Sequence, residues 1–313
     1  MQDILLNLLF TGIGITMLCY GGNWLVNGGV VIAKRFGVSN MLIGMTVVAY
    51  GTSTPELATS IAAAGEHGEI ILGNVIGSNI ANVGMVIGIA AIIIPLVVEK
   101  TTIRKEIPIM LAASVLIVVL SFDGEISQFD GVILVSLLIV FTIYAYKDIK
   151  KQQQDIMESK ERKEKTTLSK SVLLIGIGIV LLYFGAKFTV ENAVIIAQFL
   201  NVPERIIGIT VIAIGTSLPE LITSIVAIKK GHTDIGVGNI IGSNIYNILM
   251  IMGVASTIAG IAIASEVFYD YIIMIAFSLS LLLAIRSRYV GRKIGIGLVI
   301  AYVVYLIASF MFI

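Results

Sequence analysis

The chain has 313 residues, 57% of them hydrophobic and 13% charged, with a formal net charge of +1 and a mean hydropathy of +1.00. Such values argue against a soluble globular domain and for a polytopic membrane protein. A near-neutral chain makes no case for nucleic-acid binding, and the single Cys19 excludes an intrachain disulfide and reads as a small packing residue.

Met1-Gln2-Asp3 lacks a basic leader, and the apolar stretch behind it has no convincing cleavage site, so the first segment reads as a mature helix. Segments long enough to cross a bilayer follow at about 4–33, 40–64, 70–98, 106–122, 130–147, 171–200, 205–228, 234–262, 268–285 and 294–313. Residues 147–170, charged and Gln-containing, are too polar to span and read as a solvated linker. The chain therefore divides into a unit over 1–146, a linker over 147–170 and a second unit over 171–313.

Lys and Arg gather at Lys34 and Arg35, at Lys100, Arg104 and Lys105, through the linker, at Lys229 and Lys230, and from Arg286 to Lys293. With ten alternating spans all of these fall on one side, whereas the opposite connections contain only Arg205. The positive-inside rule then places the linker in the cytoplasm and both termini outside, in a multi-pass protein of the plasma membrane.

The halves superimpose at a shift of 164, where Tyr20-Gly21 meets Phe184-Gly185 and Ile43-Gly44 meets Ile207-Gly208. Gly51-Thr52-Ser53-Thr54-Pro55-Glu56 returns as Gly215-Thr216-Ser217-Leu218-Pro219-Glu220. After a one-residue gap, the segment from Gly73 to Asn82 returns from Gly238 to Asn247, both reading G-N-x-I-G-S-N-I-x-N. Five spans per half is an odd number, so the second half runs through the membrane in the opposite sense. An inverted repeat of this kind typifies secondary transporters that alternate access around a midplane site. The long, Gly-containing and less polar first and sixth spans are the candidates for the moving pair.

An ionisable group at membrane depth is expensive and is a functional candidate by default. Here Glu56 and Glu220 occupy matching places. Pro55 and Pro219 deprive the carbonyls of Gly51 and Gly215 of their helical partners, and glycine loosens the same turn. If the helices open there, carbonyls of Ala49, Thr52, Ala213 and Thr216 can turn towards a cation. Thr52 with Glu56, and Thr216 with Glu220, are four residues apart and share a helical face, with Ser53 and Ser217 close by. In the following span Asn74, Ser78 and Asn82 form a polar stripe, matched by Asn239, Ser243 and Asn247. Gly73, Gly77, Gly238 and Gly242 sit beside these stripes at a spacing that lets helix backbones approach. Carboxylates, hydroxyls, amides and carbonyls without Cys or His suit a hard cation. Two carboxylates with added neutral oxygens fit the six to eight ligands that calcium prefers.

These motifs resemble the alpha-repeats of the sodium/calcium exchanger branch of the calcium/cation antiporter superfamily, over nearly the whole chain. The resemblance implies an all-α membrane protein of ten transmembrane helices in two inverted five-helix repeats. It implies an antiporter of sodium and calcium that normally extrudes calcium, not an enzyme, without a cofactor or an obligate protein partner, its surroundings being the two ions and the lipid bilayer. By the same resemblance Glu56 and Glu220 bind calcium with backbone oxygens of Thr52 and Thr216. Ser53, Ser78, Ser217 and Ser243, with carbonyls of Ala49 and Ala213, contribute to sodium sites, and Asn82 and Asn247 line the centre. Potassium-dependent relatives typically carry an acidic residue at the place of Asn247, so its neutral amide argues against potassium co-transport. The linker has no room for the cytoplasmic calcium-sensing domains of animal exchangers.

Proton/calcium or other cation exchange on the same scaffold is the alternative, with a passive channel behind it. Asn74 and Asn239 read as structural. Lys187 and Glu191 read as a neutralised i,i+4 pair, or Lys187 as a lysine snorkelling to the outer interface, rather than a transport site, and Trp24 as a packing or interfacial anchor. His67 and His232 fall in loops on opposite sides and share no metal.

Overall fold

The computed structural model describes residues 2–98, 100–157, 168–201, 213–285 and 289–312. Long helices dominate, as expected of an all-α membrane protein, and among the described residues six are long and apolar enough to cross a bilayer. Helix α1 (Gln2–Phe36) and helix α10 (Leu168–Phe199) have 35 and 32 residues. At about 1.5 Å per residue each is roughly 50 Å long, well beyond a hydrocarbon core of about 30 Å.

Between them α2 (Asn40–Ile43) passes through a π-helical stretch, Gly44–Val48, into α3 (Ala49–Thr52). Ser53 breaks the helix with φ −83° and ψ 7°, and α4 (Thr54–Ala63) resumes with proline in its first turn. Pro55 has no N–H to return to Gly51, and proline is best tolerated at a helix start, so the interruption falls just upstream of it. Helix α5 (Gly68–Ala81), a π-helical stretch Asn82–Ile87 and α6 (Gly88–Ile93) form one continuous rod. Strand β1 (Leu96–Val97), α7 (Lys100–Arg104), α8 (Glu106–Leu120), β2 (Glu125–Ile126) and α9 (Gln128–Met157) complete this part.

The second part repeats the order. Helix α11 (Ala213–Thr216) ends at Ser217, with φ −88° and ψ 5°, before α12 (Leu218–Lys229). Helix α13 (Thr233–Tyr246), a π-helical stretch Asn247–Met252 and α14 (Gly253–Ile258) form the second rod. Strand β3 (Ile261–Ala262), α15 (Val267–Ile285), β4 (Tyr289–Val290) and α16 (Arg292–Phe312) follow. The strands pair across the parts, Leu96 with Val290 and Glu125 with Ala262, both antiparallel.

The two rods are the interior. The apolar stretch of the α13 rod is wholly buried and most of the α5 rod is, whereas α1, α9, α10 and α16 keep most of their apolar surface outward, towards lipid. Gly238 and Gly242 lie so close to α2 and the π stretch that an added Cβ would stand 2.5 Å from the carbonyls of Met41 and Met45. This is the close approach expected of them. For Gly73 and Gly77 no described atom lies within 4 Å. Helices α1 and α10 pack along their lengths, Gly14, Gly21 and Gly28 meeting Gly185, Gly178 and Ser171 in reverse order. Lys230, just past α12, donates to the amide oxygens of Asn23 and, at 2.6 Å, Asn27, tying α1 to the broken helix.

Several details differ from expectation. Helix α9 continues to Met157, eleven residues into the stretch read as linker, because no glycine or proline interrupts it after Gly131. Cys19, expected to pack, is exposed on α1. Lys187 and Glu191 do pair, at 3.8 Å with both side chains about half exposed. Trp24 packs against Tyr20 on α1. Arg205 and the start of the segment expected over 205–228 lie outside the described residues.

Candidate functional site

Thr52, Ser53, Glu56, Ser217 and Glu220 come from the two broken helices, and Ser78, Asn82, Ser243 and Asn247 from the two rods. All nine are at most 4% exposed. Burying so many polar groups in a membrane interior is unfavourable unless they are paired or hold a ligand. Ser53 of the first motif hydrogen-bonds the carboxylate of Glu220 in the second, which joins the two motifs in one place.

Around Glu220 the pairing is dense. Ser53 donates to Oε1 of Glu220 at 3.1 Å and lies 3.0 Å from Oγ of Ser243, whose hydroxyl is 3.4 Å from the same carboxylate oxygen. Thr52 Oγ1 lies 3.0 Å from Oδ1 of Asn239. Elsewhere the pattern is open. Oε2 of Glu56, Oγ of Ser78 and Oγ of Ser217 have no hydrogen-bond partner among the described residues, nor do Oε2 of Glu220 and Oδ1 of Asn82 and Asn247. An unpaired buried polar atom costs about 1–3 kcal/mol. These six oxygens, two of them on carboxylates, are of the kind that suits a hard cation.

The carbonyls behave less simply than expected. Gly51 loses its partner to Pro55, but the Ala49 carbonyl remains engaged, accepting from the Ser53 N–H at 3.0 Å with Thr52 Oγ1 at 3.2 Å. Ala213 opens α11, with only its backbone described, and Thr216 is half-buried.

Asn74 and Asn239 act as the structural residues they were read to be. Asn74 Nδ2 donates to the Glu56 carbonyl at 3.0 Å and to Ser60 at 2.9 Å, and Asn239 Nδ2 donates to Ser224 at 3.0 Å with the Glu220 carbonyl at 3.5 Å. Each rod is thereby pinned to the glutamate turn of its own half. Ser60 and Ser224 were missed, although each stands four residues after its glutamate. So were Asn79 and Asn244, buried between the rods: Asn82 Nδ2 donates to Asn244 Oδ1 at 3.0 Å, and Asn247 Nδ2 to Asn79 Oδ1 at 3.2 Å. Their recurrence in both copies of the second motif was the available signal. Among the described residues no group of three His, Cys, Asp or Glu could hold a metal, so the oxygen set depends on neutral side chains beside its two carboxylates.

Known proteins share this arrangement. The profile of the family described as sodium/calcium exchanger protein matches twice, over residues 6–147 and 170–311. The inner membrane protein YrbG of Escherichia coli is 33% identical, with 94% of each chain covered. The sodium/calcium exchanger MaX1 of Methanosarcina acetivorans is 32% identical over 98% of this chain and 99% of its own length. Among solved structures, the sodium-calcium exchanger NCX_Mj soaked with 2.5 mM Na+ and 10 mM Sr2+ aligns with a TM-score of 0.84 at 35% identity, covering 98% of this chain and 99% of that one. With both family matches spanning the motifs that build the buried oxygen set, the chain belongs to the sodium/calcium exchanger family.

Proposed function

We propose that this protein exchanges sodium for calcium by alternating access, normally extruding calcium across the plasma membrane. Ten spans form two inverted five-helix repeats over 1–146 and 171–313, with the linker 147–170 in the cytoplasm and both termini outside. The observation that carries the reading is the hydrogen bond by which Ser53 of one motif reaches Glu220 of the other, with Glu56 and Glu220 both buried. The repeated order of elements and the paired breaks at Ser53 and Ser217 support the two-repeat architecture. The strand pairs support it too, since a shift of 165 residues maps Leu96 onto Ile261 and Glu125 onto Val290.

Glu56 and Glu220 supply the charge that a calcium ion neutralises, with Thr52 and Thr216 beside them. Ser53, Ser78, Ser217 and Ser243, with the carbonyls of Ala49 and Ala213, serve sodium, while Asn82 and Asn247 contribute the central oxygens. The same site holds either calcium or several sodium ions, since each restores neutrality around the two carboxylates. Helices α1 and α10 move as a unit against the rods.

Proteoliposomes test this directly. Calcium uptake should follow an outward sodium gradient and be indifferent to a pH gradient; uptake driven by protons alone assigns the scaffold to proton exchange, and uptake needing no counter-ion makes it a channel. Glu56→Gln and Glu220→Gln each remove a ligand charge at constant size. Each should lower calcium affinity by at least roughly thirtyfold, the scale of about 2 kcal/mol for a charged hydrogen-bonding group. Near-normal exchange in both correctly inserted variants would remove the carboxylates from the site.

A further inference from the structure

Asn79 and Asn244 carry no ion-binding role in the reading above, yet they are 2% and 1% exposed and each holds the amide of a central residue from the opposite half. An amide has two unlike ends. Its oxygen attracts a cation and its NH2 repels one, so a central asparagine serves a cation only in one of its two orientations.

For Asn82 that orientation is dictated through Asn244. Nδ2 of Asn244 faces the backbone carbonyl of Asn79 at 3.4 Å and Sδ of Met110 at 3.6 Å. Both are acceptors without a proton to give, so Asn244 must turn its NH2 to them and its oxygen to Asn82. Asn82 must then donate its own NH2, at 3.0 Å, which leaves its oxygen without a partner among the described residues. The opposite half runs the same way. Nδ2 of Asn79 faces Sδ of Met274 at 3.6 Å, its oxygen accepts from Nδ2 of Asn247 at 3.2 Å, and the Asn247 oxygen is left over.

We propose that Asn79 and Asn244 are positioning residues that turn the amide oxygens of Asn247 and Asn82 towards the transported cations, with Met274 and Met110 as the acceptor-only anchors that hold the relay in register. The proposal rests on the reading that Asn82 and Asn247 give oxygens to the ions. The two relays are unequal. Asn244 has a backbone carbonyl as well as a thioether, whereas the NH2 of Asn79 faces a thioether.

A double-mutant cycle separates orientation from packing. Calcium binding to the purified full-length protein is measured by titration calorimetry for Asn244→Leu, with Asn82 intact and in an Asn82→Asp background. A carboxylate presents oxygen whichever way it turns. Asn244→Leu should therefore weaken calcium binding roughly tenfold beside Asn82, the scale of one lost polar contact, and less than about twofold beside the aspartate. Equal losses in both backgrounds mean packing and overturn the proposal. Asn82→Ala separates the two readings. If it leaves calcium and sodium affinities unchanged, the ligand assignment itself fails; if it weakens them while Asn244→Leu does not, positioning alone is wrong. Should Asn244→Leu fail to fold, the volume-conserving Met274→Leu and Met110→Leu carry the test. The first should weaken calcium binding about threefold and the second less, because Asn244 keeps its carbonyl partner. No loss in Met274→Leu, or the reverse order, overturns the anchoring.

Discussion

Ser53 and Ser217 occupy equivalent places in the two motifs, as do Ser78 and Ser243, but only Ser53 and Ser243 hydrogen-bond to a carboxylate. The repeated motifs single out all four serines as site candidates. Equal motifs carry no information about unequal pairing, which arises from how the rods lie against the broken helices. Ser78→Ala removes an oxygen without a protein partner, so the folded state should lose less than about 0.5 kcal/mol while sodium activation weakens. Ser243→Ala breaks contacts with Ser53 and Glu220 and should also lower stability by about 1–2 kcal/mol. Melting curves beside sodium titrations check this contrast, and equal melting losses would place both serines in the packing. Asn247 yields a second prediction. Exchange should be indifferent to potassium at a clamped voltage, and Asn247→Asp should change ion preference or introduce a proton-dependent step. The new carboxylate would set an oxygen against Oδ1 of Asn79, where Asn247 donates at 3.2 Å. Either Asn79 turns over and leaves Met274, or the aspartate binds a proton. Unchanged selectivity and pH dependence in this variant would place Asn247 beyond the electrostatic reach of the ions. Asn79 itself escaped the sequence reading because the stripe of Asn74, Ser78 and Asn82 runs at intervals of four. Asn79 lies one residue off it, three before Asn82.

The broken helices were legible at the level of elements, because Pro55 and Pro219 remove a backbone donor at a known offset and the interruption follows. The π-helical stretches were not. Two of them begin at Asn82 and Asn247, where an ordinary helix was expected, and no residue type marks a widened turn as proline marks a break. The α1–α10 seam lies between these cases. Length and glycine content marked the first and sixth spans as a candidate moving pair, but that they pack together, and in which register, could be read only from the contacts: Gly14, Gly21 and Gly28 recur at seven residues, the interval of a helix seam. A Cβ on Gly21 would stand 2.9 Å from the Gly178 carbonyl, and backbone cannot step aside as a side chain does. Gly21→Val should therefore cost about 1–3 kcal/mol and slow exchange, as overpacking does. Gly12→Val, whose Cβ meets nothing within 4 Å, is the control and should change little. If thermal stability and exchange rate fall equally in the two variants, the seam has no special part in the pair.

The repeat was the most legible feature of the whole molecule, since two motifs return in the same order and the family profile matches both halves; the opposite sense of the halves belongs to the proposed architecture. How the halves interlock was less so: Ser53 of one half hydrogen-bonds Glu220 of the other, and Asn82 hydrogen-bonds Asn244, so each half completes the other's site. Under the proposed function such interlocking would tie switching to occupancy. Calcium between them would neutralise the carboxylates of Glu56 and Glu220, and the loaded site could then pass from one face to the other. Without an ion they would repel in a low-dielectric interior, and movement of the bare site through the apolar surroundings of α1 and α10 would be opposed. Vesicles loaded with unlabelled calcium should consequently take up labelled calcium in the complete absence of sodium, because both directions use the loaded form. Vesicles loaded with an impermeant organic cation should take up almost none. Equal uptake in the two preparations would mean that calcium crosses without a counter-ion, and exchange as the mode of action would have to be given up.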